Sequence, residues 1–304
     1  MQWLIKLRTN LRKHYQLYLL LLPGFAVIIL FNYVPMWGIQ LAFREFSHSS
    51  GIAGGAWVGL KYFEKFTHSH QFWPLLINTL SISVTTIVCS FPVPVILALM
   101  FCKLRNQRRK KVMQTIVYLP HFISIVVMVG MIQLLLSPTS GIIGHLASDV
   151  FGYTGNLMGD KSAFVPIYVI TEIWQHAGWN AIIYIAALSS IDMEIYDACS
   201  IDGANTWQTI WHIDLPSLRS TMVILLILNM GGVLSVGFEK VYLMQNSLNI
   251  SVSEIINTYV YKIGLQKNQY SYSAAVNLFN TAVNFLLVFI TNFISKRAAG
   301  ISLW

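Results

Sequence analysis

Long apolar stretches, each without Asp, Glu, Lys or Arg, divide the chain. They run from His14 to Phe43, Phe66 to Cys102, Val112 to Ser148, Ser220 to Phe238 and Asn268 to Ser295, and a sixth, Ser162 to Ile191, is interrupted only by Glu172. Lipid offers backbone groups no partner outside a helix, so a span needs about 20 mostly apolar residues. The pattern predicts six transmembrane helices, near 16–38, 72–101, 112–136, 163–189, 220–244 and 271–295. The fold class is an all-α membrane protein, one transmembrane domain over 1–304 with a cytoplasmic N-terminal segment, 1–15. The first run follows Lys6, Arg8, Arg12 and Lys13 as a secretory signal would, but no small-x-small cleavage pattern comes after it, so it is read as an uncleaved helix.

Composition sharpens this reading. Hydrophobic residues make up 55% of the 304 and charged ones 11%, against about 25% charged in an average soluble domain. Mean hydropathy is +0.59, too apolar for a soluble globule of this size. The net charge of +8 could serve nucleic acid, yet the cations follow membrane topology. With a cytoplasmic N-terminus, 13 of the 20 cations fall inside, including the run from Lys103 through Arg105, Arg108, Arg109 and Lys110 to Lys111. The other seven (Arg44, Lys61, Lys65, Lys161, Lys262, Lys267 and, at a helix end, Lys240) fall outside. The positive-inside rule therefore places both termini in the cytoplasm and makes the 103–111 run a topology anchor. Cys89, Cys102 and Cys199 are widely spaced and suggest neither disulfides nor a metal site.

One inside segment, about 191–219, differs from the others. It carries Asp192, Glu194, Asp197, Asp202 and Asp214 against Arg219 alone. Ala198, Ile201, Ala204 and Ile210 can share one apolar helical face, and Pro216 is placed to open the next segment. A tether needs neither this length nor this pattern; a short helix on the membrane face, offered to a soluble partner, accounts for both.

The segment Tyr196-Asp-Ala-Cys-Ser-Ile-Asp-Gly203-Ala204, followed by Ile213-Asp-Leu215-Pro216, resembles the coupling-loop motif of permease subunits of ABC importers. That motif is Glu-Ala-Ala, three residues, Gly, nine residues, then Ile-x-Leu-Pro; here Asp197 stands where Glu is usual and Cys199 where the second Ala is common. Tyr259-Val-Tyr-Lys-Ile-Gly and Tyr270-Ser-Tyr-Ser-Ala-Ala are similar to carbohydrate-type permeases of the polysaccharide and oligosaccharide group. The resemblance implies that Asp197, Ala198, Ile201, Asp202, Gly203, Ala204, Ile213, Leu215 and Pro216 couple the chain to a separate ATPase. It also implies a second homologous permease, two cytoplasmic ATPase subunits holding ATP and Mg, and an extracytoplasmic binding protein, all at a bacterial cytoplasmic membrane.

No Gly-x-x-x-x-Gly-Lys-Ser/Thr phosphate loop occurs, nor His-Glu-x-x-His, Gly-x-Ser-x-Gly or Cys-x-x-Cys. The chain is thus expected to bind no cofactor and to be a transport subunit rather than an enzyme; His68 and His70 read as surface histidines. Within the bundle, polar groups are costly unless they face partners, water or substrate. Glu172, Gln175, His176, Trp179 and Asn180 share one helical stripe, with Glu172 one turn from His176. Amides and aromatic rings suit sugars. Measured from the coupling motif, the resemblance puts Gln175, His176, Trp179, Asn229, Gly232, Val233 and Val236 along the substrate path, and Asn180 joins them by the stripe. For Asn277, Asn280 and Asn284 the favoured role is interhelical hydrogen bonding. The resemblance, rather than the residues, implies the cargo: oligosaccharides, among them acidic fragments such as those of alginate or pectin. The competing class, an ion-coupled secondary transporter of a small polar solute, would need ionisable groups on several spans and internal repeats.

Overall fold

The computed structural model describes residues 13–47, 51–104, 106–153, 155–235 and 237–303. Among them the regular elements are all helical. Four helices are long and apolar enough to cross a membrane: α1 (Tyr15–Phe43), α2 (Phe72–Lys103), α7 (Thr206–Met230) and α10 (Tyr270–Ala299). Gln107–Phe122 (α3) and Ile125–Leu136 (α4) form a fifth only as a pair, bent by 98°. The predicted helix 112–136 is therefore broken. Pro120 sits in a 3₁₀ turn at the break, where its missing N–H and fixed φ end the regular ladder, and Ser124 then caps α4 by accepting from the Val127 N–H.

α5 (Lys161–Ser189) has 29 residues, about 44 Å at 1.5 Å per residue. It is long enough to span, but its polar stripe leaves it outside the four that qualify by composition. Its first turn is fixed by Asp160, whose carboxylate accepts from the Ser162 N–H and hydroxyl at 2.8 and 2.7 Å. Bonds from Ser162, then Tyr153, hold that carboxyl at about 2, below the usual range.

α5 is the central helix. Toward one end it packs against α2 through Val95, Ala98 and Leu99 on one side and Ala181, Tyr184 and Leu188 on the other. Ala98 and Ala181 have no exposed surface; small residues let helices approach closely where lipid gives no hydrophobic drive to associate. Gly178 shows the same effect, since a Cβ there would lie 2.2 Å from the Val117 carbonyl oxygen of α3. Toward the other end, Phe164, Tyr168 and Val169 join Ile82, Met128, Ile132 and Met244 in a second cluster. A third cluster ties Phe66 and Leu75 to Tyr272 and Val276 of α10.

The predicted helix 220–244 also divides. α7 stops at Met230, before Gly231-Gly232, a 3₁₀ turn covers Val233–Ser235, and α8 (Phe238–Met244) follows. The freed backbone groups find partners: Asn284 Oδ1 accepts from the Leu234 N–H at 2.9 Å and its amide donates to Ser235 at 2.9 Å, while the Ser83 hydroxyl donates to the Val233 carbonyl. Asn284 thus has the interhelical role expected of it.

Candidate functional site

The acidic segment folds into a short helix, α6 (Met193–Ile201), capped by Asp192, whose Oδ1 accepts from the Glu194 N–H. Gly203 then takes φ +74°, a left-handed turn that favours glycine at helix C-termini. An ideal Cβ on Gly203 would meet nothing within 4 Å, so the conformation, and no crowding within this chain, calls for glycine. Asn205 and Gln208 form a capping box that starts α7.

Pro216 stands in the first turn of the α-helical run Leu215–Met230, as expected, but that run does not begin a separate helix. Helix is continuous from Thr206, because Ile210–Asp214 adopts π geometry and Leu215–Met230 follows without a gap; a π turn accommodates the hydrogen bond that proline cannot donate. The irregular part of the expected 191–219 loop shrinks to the turns around α6. Nor do the four apolar residues share a face. Ile201 is 86% exposed and Ala198 is exposed, whereas Ile210 packs against the bundle cluster that holds Leu218. The large apolar side chains left exposed here are instead Ile201, Trp207 and Trp211, the last two 71% and 64% exposed, together with Met193 and Ile195. Asp197 and Asp202 are exposed, while Ala204, Ile213 and Leu215 are half-buried.

Asp214, the variable position of Ile-x-Leu-Pro, is the residue that joins these elements. It is 1% exposed. Its Oδ1 accepts from the Tyr196 hydroxyl of α6 at 2.7 Å, and Lys103, the last residue of α2, places Nζ 2.7 Å from Oδ2. The same amine lies 5.2 Å from the Tyr196 ring centroid. One carboxylate therefore connects α6, α7 and α2. Burial first, then the bond to Asp214, raises the Tyr196 phenol above its ordinary value, so it stays a donor at neutral pH.

Along α5 the polar stripe acquires partners that the sequence did not reveal. Glu172 lies 3.5 Å from His176, as expected, but its closer partner is Lys240 of α8 at 2.8 Å. Lys240, read as an outside cation at a helix end, is 2% exposed and also donates to the Tyr168 carbonyl at 3.3 Å. His176 Nδ1 is 3.1 Å from His121 Nδ1. His121 stacks on Trp179 at 4.4 Å with rings 4° from parallel, and Phe122 meets Trp179 edge-on. The turn at the α3–α4 break brings both to the stripe; their positions just after Pro120 were the available signal.

The expected pathway residues divide into groups. Asn180 and Asn229 line one cavity of about 120 Å³ with Phe91 and Tyr184, while His176 and Trp179 face His121. Gln175 is buried and donates to the Ile123 carbonyl at 3.0 Å, which ties α5 to the α3–α4 break. Val233 is buried in the turn after α7 and Gly232 is exposed beside it. Val236, like Lys6, Arg8, Arg12 and Arg105, lies outside the described residues. No group of three or more His, Cys, Asp or Glu among the described residues could hold a metal.

Residues 90–300 match the family of binding-protein-dependent transport system inner membrane components. Protein LplB of Bacillus subtilis (strain 168) is 41% identical over 287 residues, 94% of this chain and 90% of that protein. The polygalacturonan/rhamnogalacturonan transport system permease protein YteP of the same organism is 42% identical over 292 residues, 96% of this chain and 91% of its own. A chain in the crystal structure of a bacterial ABC transporter involved in the import of the acidic polysaccharide alginate is 34% identical, with a TM-score of 0.88 over 97% of this chain and 99% of that one. A similar match, at TM-score 0.87, comes from the alginate transporter in complex with an alginate pentasaccharide-bound periplasmic protein.

Proposed function

The chain belongs to the inner membrane components of binding-protein-dependent transport systems, and on that premise we propose that it carries oligosaccharides or polysaccharide fragments, acidic ones such as alginate or pectin fragments among them, into the cytoplasm. It is a sugar-import permease of the ABC type, a multi-pass membrane protein and not an enzyme. The observation that carries the cargo reading is the whole-length likeness, at 34% identity, to a chain of an importer of acidic polysaccharide, supported by 42% identity to a polygalacturonan/rhamnogalacturonan permease.

In this reading six segments cross the membrane, α5 and the bent α3–α4 pair among them, and both termini are cytoplasmic. A second, homologous but different permease completes the pathway. An extracytoplasmic binding protein delivers the sugar, and two ATPase subunits, holding ATP and Mg, sit beneath. Ile201, Trp207 and Trp211 are the apolar surface that the ATPase covers, since exposed apolar patches of this kind mark partner contacts. Asp197 and Asp202 lie at its rim. When the ATPases close, α6 moves as a rigid piece about the Gly203 turn, and Asp214 passes the motion to α7 and α2 together, a change made by packed elements. Asn180, Asn229, His176 and Trp179 offer amides, imidazole and a ring face to the sugar.

The test is uptake of labelled galacturonate and alginate oligomers by the complex reconstituted with its partner subunits and binding protein. ATP-dependent uptake is expected. Proton-driven uptake by this chain alone would replace the reading with that of a secondary transporter.

A further inference from the structure

The two ends of α2 differ in chemistry. Near its start α2 meets the short helix α9 (Ile256–Tyr261), whose Ile256 N–H donates to the Thr79 hydroxyl at 3.1 Å. At its other end Met100, Phe101 and Leu104 face Met113, Ile116 and Val117 of α3 across a cavity of about 380 Å³. Every side chain that lines this cavity is apolar, and Met100, Met113 and Ile116 are exposed in this chain.

One turn nearer the start of α3 stand Arg108, Arg109, Lys110 and Lys111. Arg109 and Lys110 share the helix face of Met113, Ile116 and Val117, by spacings of three, four and seven residues. Lys110 is half-buried and within electrostatic reach of Cys102 on α2. Asn106 fixes this turn, its Oδ1 accepting from the Arg108 and Arg109 N–H groups at 3.0 and 3.1 Å. The four cations therefore sit at the helix end where the dipole is already positive, with no acidic residue in the first turn. None of the four has an ion pair among the described residues, and Asp214 is already held by Lys103 and Tyr196. A topology anchor accounts for the cations. It does not account for an all-apolar cavity one turn away on the same face.

We infer that this cavity holds an acyl chain of an anionic phospholipid whose phosphate lies among Arg108, Arg109, Lys110 and Lys111; the inference rests on the cytoplasmic placement of the 103–111 run proposed above. The cavity takes hydrocarbon and the cations choose the charge at its end, a pairing that the anionic lipids of a cytoplasmic leaflet supply. Lys103 ends the same helix, so the bound lipid stands beside the joint at Asp214.

The test uses the whole complex in vesicles with the same lipid in both leaflets. Each vesicle carries a trace of phosphatidylglycerol or phosphatidylcholine with a photoreactive diazirine in one acyl chain. After illumination, labelled peptides are identified by mass spectrometry. The phosphatidylglycerol probe is expected to label 97–117 in preference to the phosphatidylcholine probe. In Lys110→Gln the ratio of the two should fall about fivefold, the effect of one cation near an anionic surface, while Lys110→Arg keeps it and Lys61→Gln, at the other membrane face, leaves it unchanged. Met113→Trp, which fills the cavity and spares the cations, should lower labelling of 97–117 by both probes. Equal labelling by the two probes, or a ratio unmoved in Lys110→Gln, would overturn the headgroup site. Undiminished labelling in Met113→Trp would overturn the chain site. So would the absence of label from 97–117 in a complex whose other spans are labelled, because a neighbouring subunit would then cover the cavity. Sidedness is measured apart, with a membrane-impermeant maleimide on Arg108→Cys in a chain with Cys89, Cys102 and Cys199 replaced by Ser. Reaction is expected in inside-out vesicles and not in intact cells; the reverse refutes the topology and not the lipid site.

Discussion

Removing the Tyr196 hydroxyl tests whether Asp214 is the joint through which α6 moves the bundle. Tyr196→Phe keeps the ring against Lys103 and deletes one bond of 2.7 Å to a carboxylate with 1% exposure. Hydrogen bonds to charged groups contribute about 1.5–3 kcal/mol. Tyr196 is half-buried and Lys103 still faces Asp214, so the lower figure applies, about 1.5 kcal/mol, or roughly tenfold in the ratio of clamped to released α6. Cys199, half-buried on α6, reports release. With Cys89 and Cys102 replaced, its modification rate in the assembled complex should rise about tenfold, and substrate-stimulated ATP hydrolysis should fall while the ATPase still co-purifies. Asp214→Asn, which also discharges the Lys103 contact, should exceed this. The sign with pH follows from the raised phenol value: the bond is at full strength below the ordinary tyrosine value of 10.0 and is lost only as pH climbs past the higher folded value. Coupling through this joint should therefore be flat from pH 6 to 9. An unchanged Cys199 rate in both variants, with full coupling, would refute the joint.

Other outcomes follow from the same geometry. Lys240→Met leaves Glu172 with His176 alone, at 3.5 Å, inside the bundle, a loss of about 3 kcal/mol at the low end for a broken buried pair because Glu172 keeps 25% exposure; adding Glu172→Gln should recover most of it in thermal unfolding, and a double variant as unstable as the single would exclude the pairing. Gly203→Leu meets open space and suffers only its positive φ, about 1–2 kcal/mol, so Gly203→Asn, which tolerates that region, should keep more uptake than Leu; equal loss in both would point to crowding by the ATPase. Trp179→Ala and Asn229→Ala should each weaken sugar contact by about 1 kcal/mol, raising the uptake KM about fivefold with normal ATPase assembly, and unchanged kinetics would leave them as bundle contacts. Asp197 is exposed, so Asp197→Asn should lower coupling modestly and Asp197→Lys further, both more strongly at low salt; indifference of Asp197→Lys at every salt concentration would remove it from the coupling surface.

The apolar runs and the charge-poor composition were enough to give a helical membrane protein, because a backbone in lipid has few ways to satisfy its own polar groups. The Gly203 motif was legible for a similar reason: a left-handed turn selects glycine locally, and spacing preserves it. Breaks within the runs were less visible. Pro120 and Gly231-Gly232 stand in apolar surroundings, and hydropathy does not tell a straight span from a bent one. Pro216 marked the start of the α-helical run Leu215–Met230, but not the π segment Ile210–Asp214 that joins this run to the turn before it. What sequence could not supply were pairings across the fold. Glu172 meets Lys240 from 68 positions away, Lys103 meets Asp214, and His121 slides under Trp179. In the sequence Lys103 reads as part of a topology anchor, Lys240 as an outside cation at a helix end, and His121 as one more position in a predicted span. Their meaning depends on which helices pack together, and in lipid that choice rests on close-fitting small residues such as Ala98, Gly178 and Ala181, whose partners are set by three-dimensional shape rather than by any local pattern.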